Sequence, residues 1–403
     1  MTKKKMMMGV GGCLAACMAT AKPTLTVPAE LQAAPGIPCN VYFARTLDSV
    51  KPSNYAFEAI SEAGSFWEDR WTWTPTEKDA GRRVPVVFNV WDDESGLVDA
   101  ATTTVCVAKM PTEEQKAKKV TVAILGASCT NSRYQDQFRA RMREAGFANY
   151  VAVGSHSGGS SSVECNPDTE APHDGYGGFA WGDFMTRYAM TVDEINNEQA
   201  EAEREQLIHL FGAKLPKGQE WRKGLLKSPL VRIKDMKKVV DVQAWFDKVN
   251  GGKAPDYVFI TLGGNGVSTV RPERIEEAVA GQMTSATQLL DYLRAAAPDM
   301  KIVVTSAFGG STLQDGWGKN YGAKTSAFIG NLNRIRYDRE IAKLIAARND
   351  PKILFMTASL NVDPVNAYPH GKHANALHSL PSGGKMFGDA LAAWLLCDLT
   401  KGE

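Results

Sequence analysis

The chain contains 403 residues, of which 44% are hydrophobic and 23% are charged, and its formal net charge at pH 7 is +1. This length is enough for two or three domains with a large core, and the composition is ordinary for a soluble globular protein. The near-zero net charge argues against a nucleic-acid partner. No run of about 18 apolar residues follows the N-terminal region, so the sequence predicts no internal membrane span.

The first 21 residues, 1–21, are predicted to be an export signal. Three lysines at 3–5 precede a short apolar segment, as in signal peptides. Ala19-Thr20-Ala21 has the small-x-small form that signal peptidase cleaves, whereas Leu14-Ala15-Ala16-Cys17 resembles the bacterial lipobox, in which the cysteine becomes the lipidated first residue. The protein is therefore expected to be exported to the periplasm, cell surface or medium, with a lipid anchor at Cys17 if the lipobox is used.

The sequence has seven cysteines, and export would leave five of them in an oxidising compartment where disulfides persist. Cys39 and Cys106 lie in strand-like segments near the two ends of the first predicted domain, so a bridge between them is reasonable. Cys129 and Cys165 are a second candidate pair, although sequence alone decides neither pairing. No Cys/His spacing is typical of a zinc site, and no metal is expected.

Residues 22–110 are predicted to form a small all-β sandwich of immunoglobulin-like (Ig-like) type. Short segments rich in β-branched and aromatic residues alternate with turn residues, without a helical pattern. The predicted strands are 39–43, 55–59, 71–74, 84–91 and 101–108. The segment 71–81, WTWTPTEKDAG, looks like a phrase of Ig-like or cadherin-like modules in exported bacterial proteins. Four tryptophans are expected mainly in the core or at a domain contact, with a sugar-stacking surface as the alternative: Trp67, Trp71, Trp73 and Trp91.

The polar segment 111–119, PTEEQKAKK, is predicted to link this sandwich to an α/β domain over residues 120–403. Apolar strand-like runs alternate there with helical patterns, which predicts a parallel sheet covered by helices on both faces. The predicted strands are 120–125, 150–154, 257–262, 302–306 and 353–357, and the predicted helices are 134–145, 272–296, 332–347 and 382–396. A further charged helix is expected to start at the capping-box pair Thr191 and Glu194.

Four short motifs occur where open α/β sheets bind their ligands, after strands or before the last helix. Ser128 follows the first strand of the α/β domain, next to a helix N-terminus that stabilises negative charge. The glycine-rich run 175–181 offers backbone N–H groups to a developing oxyanion, and Asn265 among glycines offers its amide. His378, before the last helix, supplies a base that can take the serine proton. Together, in this chain order, the motifs predict a serine hydrolase.

These motifs resemble the conserved blocks of the SGNH (GDSL-like) hydrolase family over roughly residues 119–398. By this resemblance Ser128, in Gly-Ala-Ser, is the nucleophile, and His378 is the base. Asn265, in Gly-Gly-Asn-Gly, matches the family's oxyanion asparagine. Gly178 is assigned to the family's glycine block, with Gly177 as the alternative. Several exported bacterial members of the family also carry an N-terminal β-sandwich.

The resemblance implies a three-layer, flavodoxin-like α/β fold and an acyl-enzyme mechanism that needs no metal or organic cofactor. His378 would deprotonate Ser128 for attack on an ester carbonyl. The backbone N–H groups of Ser128 and Gly178, with the amide of Asn265, would hold the oxyanion. The export signal, the accessory sandwich and the aromatic glycine-rich loop favour O-deacetylation of a carbohydrate or glycan, either a small molecule or a polysaccharide.

The chain departs from the family at all three aspartates of these blocks, which are replaced by Ala127, Gly266 and Asn375. The last position normally holds the acid that orients the histidine. Asp363, Asp389 or a backbone carbonyl is expected to take over this role. The alternative function is that of a catalytically degenerate surface protein that binds glycans on the same fold.

The remaining histidines, at positions 156, 173, 209, 370 and 373, are expected to be surface residues or substrate contacts. Two of them, His370 and His373, are close enough to His378 in sequence to compete with it for the role of base. The distance of each imidazole from Ser128 decides among them.

Overall fold

The structure is a computed structural model that describes residues 23–131, 134–158, 170–198 and 201–401. The predicted export signal and Cys165 therefore lie outside the described residues. By secondary structure, the described chain comprises an N-terminal β region, residues 23–110, and an α/β region, residues 120–401. No helix in these described ranges combines the length and apolar character needed to cross a membrane.

The N-terminal β region is built from strands and short 3-10 turns. Its strands are β1 (Glu30–Ala33), β2 (Cys39–Tyr42), β3 (Ala56–Ser61), β4 (Ser65–Phe66), β5 (Arg70–Trp73), β6 (Arg83–Asp92) and β7 (Gly96–Val107). They form one sheet of order β1-β7-β6-β3 and a second of order β2-β5-β4. Val86 and Phe88 of the first sheet pack with Val41 and Trp71 of the second, so the two sheets enclose a common core. An Ig-like topology remains a prediction.

The four tryptophans of this region differ in burial. Trp71 is buried and Trp73 half-buried, as expected of core residues, whereas Trp67 is 56% and Trp91 39% exposed. The expectation that most of them are buried therefore holds for only part of the set.

The α/β region alternates strands and helices in the predicted order. Its elements are α1 (Glu113–Ala117), β8 (Val120–Gly126), α2 (Tyr134–Glu144), β9 (Tyr150–Val153), β10 (Asp174–Gly175), α3 (Asp183–Thr186), β11 (Met190–Thr191), α4 (Val192–Glu198), α5 (Glu201–Phe211), β12 (Gly212–Ala213), β13 (Val231–Lys234), β14 (Lys237–Val240), α6 (Val242–Asn250), β15 (Tyr257–Thr261), α7 (Gly264–Val267), α8 (Ile275–Ala296), β16 (Lys301–Thr305), α9 (Gln314–Tyr321), α10 (Ala327–Arg348), β17 (Ile353–Met356) and α11 (Pro381–Leu399). The predicted linker 111–119 contains the short helix α1.

The central sheet of the α/β region is parallel and has the order β9-β8-β15-β16-β17. This is the order of doubly wound, flavodoxin-like sheets. The strand beside β8 is interrupted: β9 pairs with the first half of β8, and β10 pairs with its last residues, Leu125 and Gly126. The chain thus leaves the sheet after β9 and returns beside the carboxyl end of β8.

Helices cover both faces of this sheet, which confirms the predicted parallel α/β architecture. Ala123 and Leu125 of β8 face a core shared with α6, α8 and α10. Val122 and Ile124, which alternate with them, face a second core shared with α2 and α11. The sequence of a strand that is buried on both faces is a continuous apolar run, because both sets of alternating side chains enter a core.

The N-terminal β region packs directly on the α/β region. Ala34 and Ile37 belong to the core formed around α2 and α11. The backbone N and the side-chain Nδ2 of Asn40 both donate to Asn361 Oδ1, at 2.7 and 3.0 Å. Apolar burial and polar bonds therefore both fix the contact between the two regions.

The suggested bridge between Cys39 and Cys106 is not formed. The thiols of Cys39 and Cys106 are free, as is that of Cys397. Cys397 Sγ instead donates to the backbone oxygens of Ala33 and Cys106, each at 3.3 Å. Burial raises the pKa of the Cys39 thiol to about 12, so it behaves as a small apolar core residue.

Candidate active site

Ser128 lies where β8 leaves the core of the sheet. All seven residues of β8 are buried, and Ser128 begins a 3-10 turn, Ser128–Asn131, after one intervening residue. The turn closes tightly over Gly126, because a Cβ on that glycine would overlap Thr130 Oγ1. Tyr134 donates its hydroxyl to Thr130 Oγ1 at 3.0 Å and so ties the turn to the start of α2. The serine is thereby presented at the carboxyl edge of the parallel sheet.

The glycine-rich loop runs alongside the same strand end. Tyr176 donates its backbone N–H to the carbonyl oxygen of Gly126 at 2.9 Å, which fixes the loop against the residue that precedes the serine turn. Gly178 has φ +76°, is exposed, and has open space where a side chain would stand. This left-handed conformation favours glycine. Gly177 is half-buried beside it, so Gly178 is the more accessible of the two candidate oxyanion glycines.

Asn265 lies in the first turn of α7, after β15. Gly263 before it has φ +106°, and a Cβ there would overlap the ring of Tyr337. Asn265 Nδ2 donates to the carbonyl oxygen of Phe179 at 2.9 Å, one residue beyond Gly178. The structure therefore links the asparagine and glycine blocks directly. At Gly266, where the family has aspartate, a side chain would overlap the amide of Gln282 from α8, so this glutamine fills the missing carboxylate's space.

His378 contacts the serine. Its Nε2 lies 2.9 Å from Ser128 Oγ, a hydrogen-bond distance between residues 250 positions apart in the chain. The backbone N–H groups of Leu377 and His378 both donate to Asn375 Oδ1, each at 2.9 Å. Asn375 therefore folds the backbone that carries the histidine, which is a different task from the imidazole orientation performed by the family's aspartate.

Neither of the two suggested carboxylates bonds to His378. Asp363 accepts hydrogen bonds from Val365, Asn366 and Tyr42, whereas Asp389, on α11, accepts from Gln137 and Arg141 of α2. Both aspartates thus stabilise other parts of the fold, and the expectation that one of them orients the histidine is not supported.

The other histidines occupy different environments. His370, His373 and His209 are exposed, as expected of surface residues. His173, by contrast, is fully buried, and its expected place at the surface is wrong. Its Nδ1 accepts from the backbone N–H of Gly175 at 3.0 Å, and its Nε2 bonds the carbonyl oxygen of Gly158 at 3.1 Å. Burial, strengthened by the neighbouring His156, lowers the pKa of His173 to about 3.

The first half of α10 carries supporting residues that the sequence did not single out. Asn333 Nδ2 donates to the carbonyl oxygens of Val267 and Val270, which close the turn after Asn265. Arg334 bonds Ser268 Oγ, at 2.9 Å, and also the carbonyl oxygen of Phe308 after β16. No sequence signal marks this role, because polar residues recur along the predicted helix 332–347 and are equally typical of a solvent-exposed face.

Two further side chains of α10 reach the same loops. Tyr337 accepts a hydrogen bond from Trp181 Nε1 at 2.7 Å, which anchors the far end of the glycine-rich loop. Asp338 accepts from the backbone N–H of Ala307 at 2.8 Å, and burial raises the pKa of its carboxyl to about 7. One helix therefore holds the loops that follow β10, β15 and β16.

The site contains polar groups for acyl transfer. Within the described ranges, no group of three or more His, Cys, Asp or Glu side chains is arranged to hold a metal ion. The contact between Ser128 and His378 suits a nucleophile with its base, and the glycine-rich and asparagine loops offer N–H donors beside the same sheet edge.

No family model and no curated protein matches the chain. Solved structures that are similar to it include a carbohydrate esterase family 3 from Talaromyces cellulolyticus, at 15% identity and a TM-score of 0.40, covering 70% of this chain and 100% of that one. A family 3 carbohydrate esterase from Clostridium thermocellum is 16% identical, with a TM-score of 0.38 and coverage of 70% and 100%. A carbohydrate esterase family 2 enzyme plus carbohydrate binding domain from Corynascus thermopiles is 12% identical, with a TM-score of 0.36 and coverage of 93% and 98%.

Proposed function

We propose that the protein is a serine esterase of SGNH type that removes O-acetyl groups from a carbohydrate or glycan. The observation that carries the proposal is the 2.9 Å contact between Ser128 Oγ and His378 Nε2 at the carboxyl edge of a parallel sheet. Serine hydroxyls are weak nucleophiles unless a base accepts their proton, and this distance is within the range for such a transfer.

The proposed reaction has two half-reactions. His378 takes the proton of Ser128 as its oxygen attacks the ester carbonyl, and the backbone N–H groups of Ser128 and Gly178 with the Asn265 amide stabilise the resulting oxyanion. The protonated imidazole then gives its proton to the leaving alcohol as the acyl-enzyme forms. Water, deprotonated by His378, attacks the acyl-enzyme and releases acetate, which returns Ser128 to its starting state.

The carbohydrate substrate is proposed from the SGNH resemblance of the motifs and from the N-terminal β region that accompanies the α/β region. Carbohydrate esters are also the substrates implied by the names of the similar solved structures, and one of these was described in complex with cellohexaose. The leaving group would be a sugar hydroxyl, on either a small molecule or a polysaccharide.

The proposal is tested by measuring p-nitrophenyl acetate turnover and fluorophosphonate labelling of wild type, Ser128→Ala and His378→Gln. We expect loss of labelling in Ser128→Ala and a fall in kcat of about 10⁴-fold or more in both variants. Ser379→Ala removes the neighbouring hydroxyl and His373→Gln removes the competing imidazole, so both should keep wild-type activity. Turnover that survives in Ser128→Ala would remove that serine from the mechanism.

A second candidate function is favoured by one observation, the replacement of the family's acid by Asn375. Without that carboxylate the domain would bind glycans but not cleave them. Absence of both labelling and turnover in the wild type, together with retention of a glycan in a pull-down with insoluble polysaccharide, would support this reading over the esterase.

We also propose that the protein is exported, from the basic and apolar character of residues 1–21. Mass spectrometry of the mature N-terminus separates the two processing routes. A diacylated or triacylated N-terminal Cys17 would establish a lipid anchor, whereas a free N-terminus after Ala21 would establish ordinary cleavage. A chain that retains Met1 in the cytoplasm would contradict export.

A further inference from the structure

We propose that Arg45, which belongs to the N-terminal β region, is a positioning residue for His378 and makes that region a working part of the active site. The proposal rests on the proposed esterase function, since it assigns His378 the role of base. It is carried by a continuous series of hydrogen bonds that begins at Arg45 and ends at the segment 375–378, referred to below as the His378 segment.

Arg45 lies at the end of the 3-10 turn Phe43–Arg45 and is buried against the α/β region, with 8% of its surface exposed. Its guanidinium carbon is 6.0 Å from the ring centroid of Tyr368. The guanidinium also fills the space over Gly309, where a Cβ would overlap it. The arginine is therefore inserted into the loop that follows β16.

The first step of the connection is a bond from Arg45 Nη1 to Asn331 Oδ1, at 3.3 Å. Asn331, on α10, uses its Nδ2 to donate to the carbonyl oxygen of Ser311 at 2.9 Å and to that of Ala327 at 2.8 Å. Because an amide has one acceptor and one donor end, a donor at Oδ1 fixes which way Asn331 points. The bond from Arg45 therefore reinforces the orientation in which Asn331 holds Ser311, which the two carbonyl acceptors of Nδ2 also require.

The second step leads from Ser311 to the His378 segment. The backbone N–H of Ser311 donates to the carbonyl oxygen of Ala376 at 2.8 Å. The N–H of Ala376 in turn donates to Asn320 Oδ1 of α9, also at 2.8 Å. Both polar backbone groups of Ala376 are thus fixed from outside its own segment, two residues before the histidine that contacts Ser128.

The burial of Arg45 is difficult to explain by stability alone. Burial lowers the pKa of its guanidinium and the neighbouring Arg334 adds to this effect, although Tyr368 and Asp363 partly oppose it. Arg45 Nε and Nη2 have no acceptor among the described residues. A buried guanidinium whose N–H groups are only partly satisfied costs free energy, and an apolar side chain of the same length would avoid that cost. A role in holding Asn331 accounts for a guanidinium at this position.

The test compares Arg45→Met with Arg339→Met in the full chain. Arg339, also on α10, binds Asp48 of the N-terminal β region through Nη1 at 2.7 Å, but its bonds do not lead to the His378 segment. Both variants remove an arginine contact between the two regions. We expect Arg45→Met to lower kcat per fluorophosphonate-titrated site about 10- to 100-fold with KM within about twofold, because small displacements of a catalytic group are costly. Arg339→Met should keep the wild-type kcat.

Three further variants separate positioning from folding. Arg45→Lys, which retains one donor at the same place, should recover part of the lost kcat. Asn331→Ala should reproduce the defect, and the double variant Arg45→Met/Asn331→Ala should be no slower than the slower single variant, since the two residues act in series. If Arg45→Met does not fold, Asn331→Ala and Arg45→Lys still decide the proposal.

The position of His378 is also measured directly, by the NMR titration of its imidazole, assigned with His378→Gln. We expect its pKa and ring chemical shifts to change in Arg45→Met and to stay at wild-type values in Arg339→Met. Unchanged titration and unchanged kcat per site in Arg45→Met would overturn the proposal. An inactive, unlabelled wild type would refute the esterase function instead, while the NMR comparison would still show whether Arg45 sets the environment of His378.

Discussion

Ser128 and His378 meet at 2.9 Å, but the chain holds them in different ways. Ser128 follows a seven-residue strand that is buried on both faces, and its turn is closed by residues close in sequence, from Gly126 to Tyr134. The His378 segment belongs to no strand or helix. It is fixed by bonds from the distant residues Ser311 and Asn320.

The difference shows where each half of the site gets its rigidity. A strand end is placed by the sheet, which also places the glycine-rich loop and Asn265 at neighbouring strand ends. A coil segment needs bonds from elements that pack around it, because it has no repeating backbone pattern of its own. Changes at the strand ends should therefore affect the chemistry of single groups, whereas changes around the His378 segment should affect its position.

Outside the Ser128 and His378 pair itself, the largest effect is expected at the strand-end side, for Asn265→Ala. Loss of one oxyanion donor should lower kcat about 10²- to 10³-fold and leave KM nearly unchanged, because the donor acts on the transition state. Steady-state kinetics with p-nitrophenyl acetate measure this, and Asn250→Ala, at the end of α6, is the matched control. Wild-type kcat in Asn265→Ala would mean that the oxyanion donors lie elsewhere.

The same contrast explains what the sequence predicted. The apolar run before Ser128 and the glycines around Asn265 reflect local backbone requirements, so the strand ends and their motifs were predictable. The support of the His378 segment was not, because Arg45 and Asn331 are 286 positions apart and neither residue has a distinctive neighbourhood in sequence. Asn375 was recognised as the family's acid position, but its actual role, accepting two backbone N–H groups, depends on a fold of four residues that no motif specifies.

On the strand-end side, the glycine-rich loop also contacts the buried side chain of His173. The pH dependence of the free energy of unfolding tests what this histidine contributes. The pKa of His173 is lowered by burial to about 3, below its ordinary value near 6.5. Above pH 6.5 the imidazole of His173 is neutral in both the folded and the unfolded chain, so the histidine makes its full contribution to stability. Below that pH the unfolded chain binds a proton that the folded chain excludes, and the free energy of unfolding should fall by up to about 1.4 kcal/mol per pH unit until about pH 3.

Urea unfolding at pH 7.5, 6.5 and 5.5 measures this slope. His156, whose pKa is also lowered by burial although Asp174 opposes the shift, should add to it with the same sign. His173→Gln should have a shallower dependence than wild type, and the exposed His209→Gln should match wild type. Equal slopes in all three proteins would show that the protonation of His173 does not differ between the folded and unfolded chains over this pH range.

The smallest effect is expected on the other side of the comparison, for Asn375→Asp. The carboxylate keeps an oxygen acceptor for the N–H groups of Leu377 and His378, so the His378 segment should retain its fold. The added negative charge favours the imidazolium and should raise the pKa of His378. The acid limb of the kcat/KM profile should therefore move to higher pH, with only a few-fold change in kcat on the plateau.

Asn375→Ala is the contrasting variant, because it removes both acceptor bonds. The free energy of unfolding should fall by about 1–3 kcal/mol, and kcat should fall with it. A profile of Asn375→Asp that superimposes on wild type would show that position 375 acts on the backbone of the His378 segment and not on its charge.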